Sequence, residues 1–388
     1  MDAAIIGTGI TRFGMFVGTR LRELAGRAAD RALADAGLDA ADIGLVIVGN
    51  AAAGLLNGQE MIRAHTALAD SRVAGRPMLA VENACASSSS AVHLATLAVA
   101  SGGYDTVMVV GVEKMTGTDR TAAGRALATA VDVELAERAA PGEAPRPVFM
   151  EIYAAEARDY MRRTGATARD LATVAAKSYR NGSLNPIAQI REALSVDEVL
   201  SARIIADPLT RPMCSSIGDG AAALVLTRPE LVRRGRPAVR VLASALAAAQ
   251  AGDAGDVVAR AARTAYDQAG LGPADVDVCE VHDAAAPAEL LIVEELGLAA
   301  DGEAVAMARA GVFDLGGRCP VNPSGGLVAR GHPVGATGVA QIVELVDQLR
   351  GRADARQVEG ARTALAQNAG GSLGNGPAAC VVTMLAVL

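Results

Sequence analysis

Cys85 stands at the head of the stretch Glu82-Asn-Ala-Cys-Ala-Ser-Ser-Ser-Ser-Ala-Val-His-Leu-Ala-Thr-Leu-Ala-Val-Ala-Ser-Gly-Gly103. No charge follows Glu82 until Asp105, so the run reads as a helix buried on all sides and closed by Gly102 and Gly103. The apolar run Pro77 to Val81 before it reads as a strand, which puts Cys85 on a strand-to-helix turn. Unpaired amides and the helix dipole favour an anion there, and a thiol held as thiolate is a nucleophile near neutral pH. A buried structural cysteine fits the same run. A partner base decides between the two.

An internal repeat supplies one. Asp35 to Ala52 (D-A-G-L-D-A-A-D-I-G-L-V-I-V-G-N-A-A) matches Gln268 to Ala285 (Q-A-G-L-G-P-A-D-V-D-V-C-E-V-H-D-A-A) without a gap. Extending that register through a longer loop lays Gly331-His-Pro-Val-Gly-Ala-Thr-Gly338 over the segment that begins at Ala84. Cys85 and His332 then occupy equivalent turns of two homologous halves. If the halves pack about a pseudo-twofold axis, both turns point into one central crevice at helix N-termini.

The elements that must position these residues alternate strand and helix. Ala3 to Ile6 reads as a strand, Leu21 to Ala36 as an amphipathic helix ended by Gly37, and Leu45 to Val48 and Thr106 to Val110 as buried strands. Gly7-x-Gly9 lacks the third glycine and the helix directly behind it, so it reads as a plain turn rather than a phosphate loop. The pattern is an open α/β one. Between the halves lies a charged segment with Pro141, Pro145 and Pro147 and helical patterns over Met150 to Arg163 and Ala168 to Tyr179. Its Arg120, Arg125, Arg146, Arg158, Arg162, Arg163, Lys177, Arg180 and Arg191 either solvate helix faces or cradle the phosphates of an extended anionic substrate. The organisation expected is a first half formed by residues 1–118 and 206–235, an insert over 119–205, and a second half over 236–388.

Composition excludes several classes. A net charge of −7 gives no basic footprint for nucleic acid or an anionic membrane. Aromatics are 2% and tryptophan is absent, so a core of mostly small side chains must pack its helices closely. The 5 cysteines form no C-x-x-C pair and the 4 histidines are scattered, so no metal site is expected. The chain shows neither a secretory leader nor a membrane span, and a reduced cytoplasmic setting is expected.

Five ordered motifs carry a family resemblance: Asn83-Ala-Cys-Ala-Ser87, Asp207-Pro-Leu-Thr-Arg-Pro-Met-Cys-Ser-Ser-Ile-Gly-Asp-Gly-Ala-Ala-Ala223, Val281-His-Asp-Ala284, Asn322-Pro-Ser-Gly-Gly through Gly331-His-Pro-x-Gly-Ala-Thr-Gly338, and Gln367-Asn-Ala-Gly-Gly371. Together they resemble the thiolase superfamily, and more narrowly its sterol-carrier-protein and archaeal acetyl-CoA acetyltransferase types. The resemblance implies a five-layered αβαβα fold of two homologous halves with an inserted loop domain that holds coenzyme A. It implies coenzyme A thioesters as substrates with no permanently bound cofactor, a homodimer or homotetramer, and for some relatives a small zinc-ribbon/OB-fold partner protein. By resemblance Cys85 is the nucleophile and His332 its activating partner; His332 and His282 bind the enolate oxygen of a second thioester, and the amides of Cys85 and Gly370 bind the acyl-enzyme oxygen. Cys214 looks structural.

Two departures matter. The second cysteine of most thiolases aligns with Asn368, which exchanges no proton near pH 7, and the alternative cysteine after His-Asp is Ala284. What remains is Cys85, His282 and His332, so a histidine must move the proton, and Asn368 is expected to be a bystander. Ala285 replaces a phenylalanine of the family pattern, which would open room beside the sulfur for a bulky acyl group unless a neighbour refills it. Three functions compete: an acyltransferase that makes or cleaves a carbon-carbon bond in a β-ketoacyl-CoA through acyl-Cys85, a thiolase-like aldolase, and a partner-dependent or non-catalytic subunit.

Overall fold

The computed structural model describes residues 2–134, 138, 149–249, 256–374 and 376–388. Pro141, Pro145, Arg146 and Pro147 of the insert lie outside the described residues. Nine strands form one sheet: β1 (Ala3–Ile10), β2 (Leu45–Gly49), β3 (Met78–Val81), β4 (Thr106–Glu113), β5 (Gly220–Thr227), β6 (Val239–Ala248), β7 (Val278–Glu280), β8 (Thr363–Gly370) and β9 (Ala379–Val387), in the order β3-β2-β4-β5-β1-β6-β9-β8-β7. The five strands from β3 to β1 belong to one half and the four from β6 to β7 to the other, and β1 joins them by antiparallel pairing with β6. Helix α1 (Leu21–Ala36) covers the outside of the first half-sheet. Helices α2 (Ser87–Ala100) and α7 (Thr337–Leu349) pack on each other between the half-sheets, and α5 (Val257–Ala269) covers the second from outside. This is the five-layered αβαβα arrangement. The insert contributes α3 (Phe149–Thr164) and α4 (Ala168–Ser183), and α6 (Ala286–Glu295) packs on α4. No helix among the described residues is long and apolar enough to cross a membrane.

The repeat is visible in three dimensions. Gly37 and Gly270 end α1 and α5 in the left-handed region, at φ 62° and 67°. A single 3-10 turn follows each, closed by Asp42 accepting from the Asp39 amide at 2.9 Å and by Asp275 accepting from the Gly272 amide at 2.8 Å. Strands β2 and β7 come next, in the register read from the sequence. Further on the register slips. Cys85 lies inside the 3-10 turn Ala84–Ala86 that precedes α2, whereas His332 lies before the corresponding turn Val334–Ala336 that precedes α7. Gly335, and not His332, is therefore the counterpart of Cys85, because the longer loop of the second half absorbs three more residues than the alignment allowed.

Two other expectations are corrected. Gly7 and Gly9 form no turn; they lie inside β1, where added Cβ atoms would meet the backbone oxygens of Ala32 and Ala28 at 2.4 and 2.2 Å. They let α1 sit directly on the strand. Helix α2 is not buried on all sides of this chain: Leu94 and Leu97 are 40% and 42% exposed. They lie near β3, whose outer edge pairs with no described strand and whose Leu79 is 51% exposed.

Candidate active site

The two central helices meet at their N-termini because the residues there are small. A Cβ on Gly338 would lie 2.5 Å from the Ser89 amide, and one on Gly111 would lie 2.7 Å from both Ser88 Cβ and the Gly335 oxygen. The Val339 amide donates to Ser88 Oγ at 3.1 Å and ties α7 to α2. Ala84 is held at φ 47°, a strained value for a residue with a Cβ, and Ser87 Oγ pins the turn by donating to the Ala84 oxygen at 2.6 Å. This turn delivers Cys85. From the second half, β7 leads directly into His282, and the loop before α7 carries His332. The Cys85 sulfur and one ring nitrogen of each histidine lie within 4.8 Å of one another, and the rings stand edge to face with centroids 5.1 Å apart. Nδ1 of His282 faces Asn368 at 2.9 Å and Nδ1 of His332 faces Thr337 Oγ1 at 2.7 Å, which leaves Nε2 of each ring for chemistry. Sulfur and two imidazoles are also donor types for a soft divalent ion. No fourth histidine, cysteine or carboxylate joins them among the described residues.

His332 is ready to accept a proton. With the single hydroxyl hydrogen of Thr337 on the Pro333 oxygen, 3.1 Å away, Nδ1–H of His332 donates to Thr337 and Nε2 carries the lone pair. Burial drives the pKa of both rings down, His282 to about 3 and His332 well below the usual imidazole value. The Arg330 guanidinium lowers both further; it is 1% exposed and bonded through Nη1 to Glu280 at 3.1 Å. Both imidazoles are neutral in the resting site.

The surroundings of Cys85 work against a resting thiolate. Burial, and after it the Glu113 carboxylate, push the Cys85 thiol up to about 12, against the amides of Cys85 and Gly371, which favour the anion. Desolvation outweighs the helix N-terminus here. The resting pair is a neutral thiol and a neutral imidazole, and the proton moves only as sulfur attacks. The Gly371 amide faces the sulfur, next to Gly370, whose amide is expected at the acyl oxygen. Gly370 also lets β8 reach the turn: a Cβ there would lie 2.0 Å from the Asn83 oxygen and 2.6 Å from the Ala86 amide.

Iodoacetamide should therefore still label Cys85 first, since the other four cysteines are at most 4% exposed, but without a plateau near neutrality. The expected rate rises about tenfold per pH unit from pH 7 to 10, as the thiolate fraction of a thiol with a raised pKa must. Labelling followed by peptide mass spectrometry checks it; a rate already flat at pH 7 would show a thiolate.

Comparison with known proteins places the chain in a family. Residues 3–230 match the family profile described as "Thiolase, N-terminal domain", and residues 244–382 match "Thiolase C-terminal domain-like". The chain belongs to the thiolase family. This thiolase is 41% identical over 383 residues to an acetyl-CoA acetyltransferase of Methanothermobacter thermautotrophicus, covering 96% of this chain and 97% of that one. It is 38% identical to the benzoylsuccinyl-CoA thiolase subunit BbsB of Thauera aromatica over 80% of each, and 32% identical to bovine sterol carrier protein 2 over 94% of this chain and 69% of that one. Among solved structures, an "Ltp2-ChsH2(DUF35) aldolase" superposes with a TM-score of 0.81 at 24% identity, covering 100% and 98% of the two chains. It shares the fold. The chain is thus a thiolase-family acyltransferase.

Several residues around the thiolase site escaped the sequence reading. Glu113, buried at the end of β4, accepts from the amides of Ala51 and Gly335 at 3.0 Å each and from Asn50 Nδ2 at 2.8 Å, so one carboxylate holds the turns of both halves. Burial raises it to about 7. Asp219 accepts from the Met115 and Thr116 amides at 2.7 and 2.8 Å and thereby places Met115. Met115 clusters with Ala123 and Val334, and Cys85, Leu56, Ala51 and Leu127 pack against them. Tyr153 on α3 lies within electrostatic reach of Cys85 and Asp283. Asn368 is no bystander, since its amide touches the His282 ring. Hydrogen bonds that Asp and Glu accept from distant amides leave no spacing to find, but the run Gly111-Val-Glu-Lys-Met115 at the end of a buried strand was a usable signal.

Ala285 is fully buried in a different apolar cluster, which includes α6, α4 and Cys214, and it bridges to Cys214. Of the insert's cations, Lys177 is buried on Glu289 and the Val321 oxygen. Arg125, Arg158, Arg162, Arg163 and Arg180 bond to Asp119, the Asp207 oxygen, Asp159, Asp301 and Asp314. Among the described residues, Arg120 and Arg191 are the members of that set left for a phosphate.

Proposed function

We propose that this thiolase makes or cleaves a carbon-carbon bond in a β-ketoacyl-CoA through an acyl-Cys85 enzyme, with Cys85, His282 and His332 as its working groups. The observation that carries the reading is the convergence of the Cys85 sulfur and two neutral imidazoles within 4.8 Å. As Cys85 attacks the thioester, its proton passes to Nε2 of His332, the sulfur–acyl bond forms, and coenzyme A leaves with that proton. His332, neutral again, takes the α-proton of a second thioester while His282 binds the enolate oxygen. The enolate carbon attacks the acyl carbonyl, the bond to Cys85 breaks, and His332 returns the proton to sulfur. Cleavage is the reverse. The amides of Cys85 and Gly370 would bind the acyl-enzyme oxygen in this reading. A complete nucleophile and base weigh against a pure aldolase, whose retro-aldol step needs no acyl-enzyme, and against a non-catalytic subunit.

The same reading takes residues 1–118 with 206–235 and residues 236–388 as the catalytic halves, residues 119–205 as the coenzyme A-binding insert, and the cytoplasm as its setting. A homodimer would cover Leu79, Leu94 and Leu97 and the free edge of β3, and sedimentation of Leu97→Asp as a monomer would support it. A small partner of zinc-ribbon/OB type is compatible with relatives described as a subunit and as a complex; pull-down from a native extract, with no such protein recovered, would remove it.

For the substrate we favour a bulky acyl group, supported by a relative whose name specifies benzoylsuccinyl-CoA and by the small Ala51 and Ala123 near Cys85. Intact-mass spectrometry after incubation with acetyl-, succinyl- and benzoyl-CoA tests both levels. An adduct on Cys85 is expected, with a bulky group preferred, and Ala123→Phe, in the cluster that Cys85 packs on, should reduce the bulky adducts selectively. No adduct from any thioester would sink the acyl-enzyme; a preference for acetyl-CoA would leave the enzyme and remove the bulky substrate.

A further inference from the structure

Asn368, 1% exposed on β8, touches the His282 ring at Nδ1. Its amide is held between two groups. Nδ2 lies 2.9 Å from His282 Nδ1, and Oδ1 accepts from Ser89 Oγ at 2.7 Å. The preceding residue, Gln367, accepts the His282 backbone amide through Oε1 at 2.9 Å, so adjacent residues of one strand fix both the backbone and the ring of this histidine.

We propose that Asn368 is a positioning residue that sets the tautomer of His282, turning that histidine into a hydrogen-bond donor and leaving His332 as the proton carrier. An amide NH2 only donates, so Nδ1 of His282 must accept, and the one proton of the neutral ring must sit on Nε2. Nε2–H then faces the sulfur and His332. His332 has the opposite arrangement, with Nδ1–H donated to Thr337 and a lone pair on Nε2. The two rings are complementary: one offers a hydrogen to an oxyanion and the other takes a proton from sulfur or carbon. With both lone pairs inward, no side-chain donor from either ring would face the developing enolate. The inverted amide, with Oδ1 on the ring and Nδ2 on Ser89, would demand the other tautomer; Ser89 Oγ lies nearer Oδ1, at 2.7 Å, than its second acceptor, the Ala86 oxygen, at 2.9 Å. No bond is made or broken by Asn368 itself.

The inference rests on the acyl-Cys85 reading but is tested apart from it. Nitrogen-15 NMR of histidine-labelled protein, assigned with a His282 variant, reads the tautomer without turnover. Wild type should show a protonated Nε2 and bare Nδ1 on His282, and Asn368→Asp, whose carboxylate only accepts, should show the reverse. Kinetically, Asn368→Asp should lower the carbon-carbon step by about 10²–10³, the usual effect of losing an oxyanion donor, while acyl-Cys85 forms within about tenfold of the wild-type rate. Asn368→Ala, which frees the ring to choose, should fall between. A bare Nε2 in wild type, or equal loss of both steps in Asn368→Asp, overturns the proposal. Failure to form acyl-Cys85 at all would count against the function proposed above and leave the tautomer result readable.

Discussion

Cys85→Ala is expected to form no acyl adduct with any acyl-CoA and to lose turnover by a factor on the order of 10⁴ or more, because a covalent route loses its first bond. No other thiol can substitute. Cys279, Cys319 and Cys380 are fully buried and Cys214 is 4% exposed, its sulfur directed at the Thr210 oxygen. Cys85 alone is partly open and has two imidazoles beside it. The measurement is intact-mass spectrometry of the wild type and the variant with the same thioesters, followed by peptide mapping. An adduct of equal size in Cys85→Ala, or turnover within tenfold of wild type, would place the chemistry elsewhere.

The second large effect separates the histidines. His332→Ala removes the group that takes the proton from sulfur and then from carbon, so acylation and the carbon-carbon step should both fall by about 10²–10⁴, the usual worth of a positioned base. His282→Ala should spare acylation and cost the carbon-carbon step about 10²–10³. Rapid-quench mass spectrometry gives the first step and steady-state turnover the second; equal losses from His282→Ala in both would make it a second base. The pH profile supplies a check. His282 is lowered to about 3 and His332 lies well below its usual value, so acidifying from pH 8 to 5 protonates neither, and no loss of activity centred on the ordinary histidine pKa is expected. Groups around the site that do titrate in that window are Glu113 and Glu280, each raised by burial to about 7. An inflection near neutrality should therefore shift or vanish in Glu113→Gln or Glu280→Gln and survive His282→Ala.

The amino-acid sequence by itself determined the two-half architecture, the strand-to-helix turn that carries Cys85, and the three residues, Cys85, His282 and His332, that the fold brings together. Patterns of small and apolar residues and an ungapped repeat carry that information locally, and Gly37, Gly270 and the aspartates closing the turns after them do in the structure what their spacing said. Where the reading went wrong, the cause was a quantity that spacing does not encode. Gly7 and Gly9 looked like a turn because the helix they must admit begins only at Leu21, beyond the end of their strand at Ile10. The repeat assigned His332 to the turn of Cys85, and loop length moved it three residues away. Protonation was beyond reach altogether. A helix N-terminus argues for a thiolate, but the depth of Cys85, the carboxylate of Glu113 and the buried cation of Arg330 set the charge of the site as sulfur and imidazoles actually meet it, and those groups come from three different strands and loops. Asn368 shows the same limit: as a letter it was the residue that could not exchange a proton, and only its place against the His282 ring makes it part of the machinery, because a hydrogen bond of 2.9 Å is decided by how β8 and β7 pack.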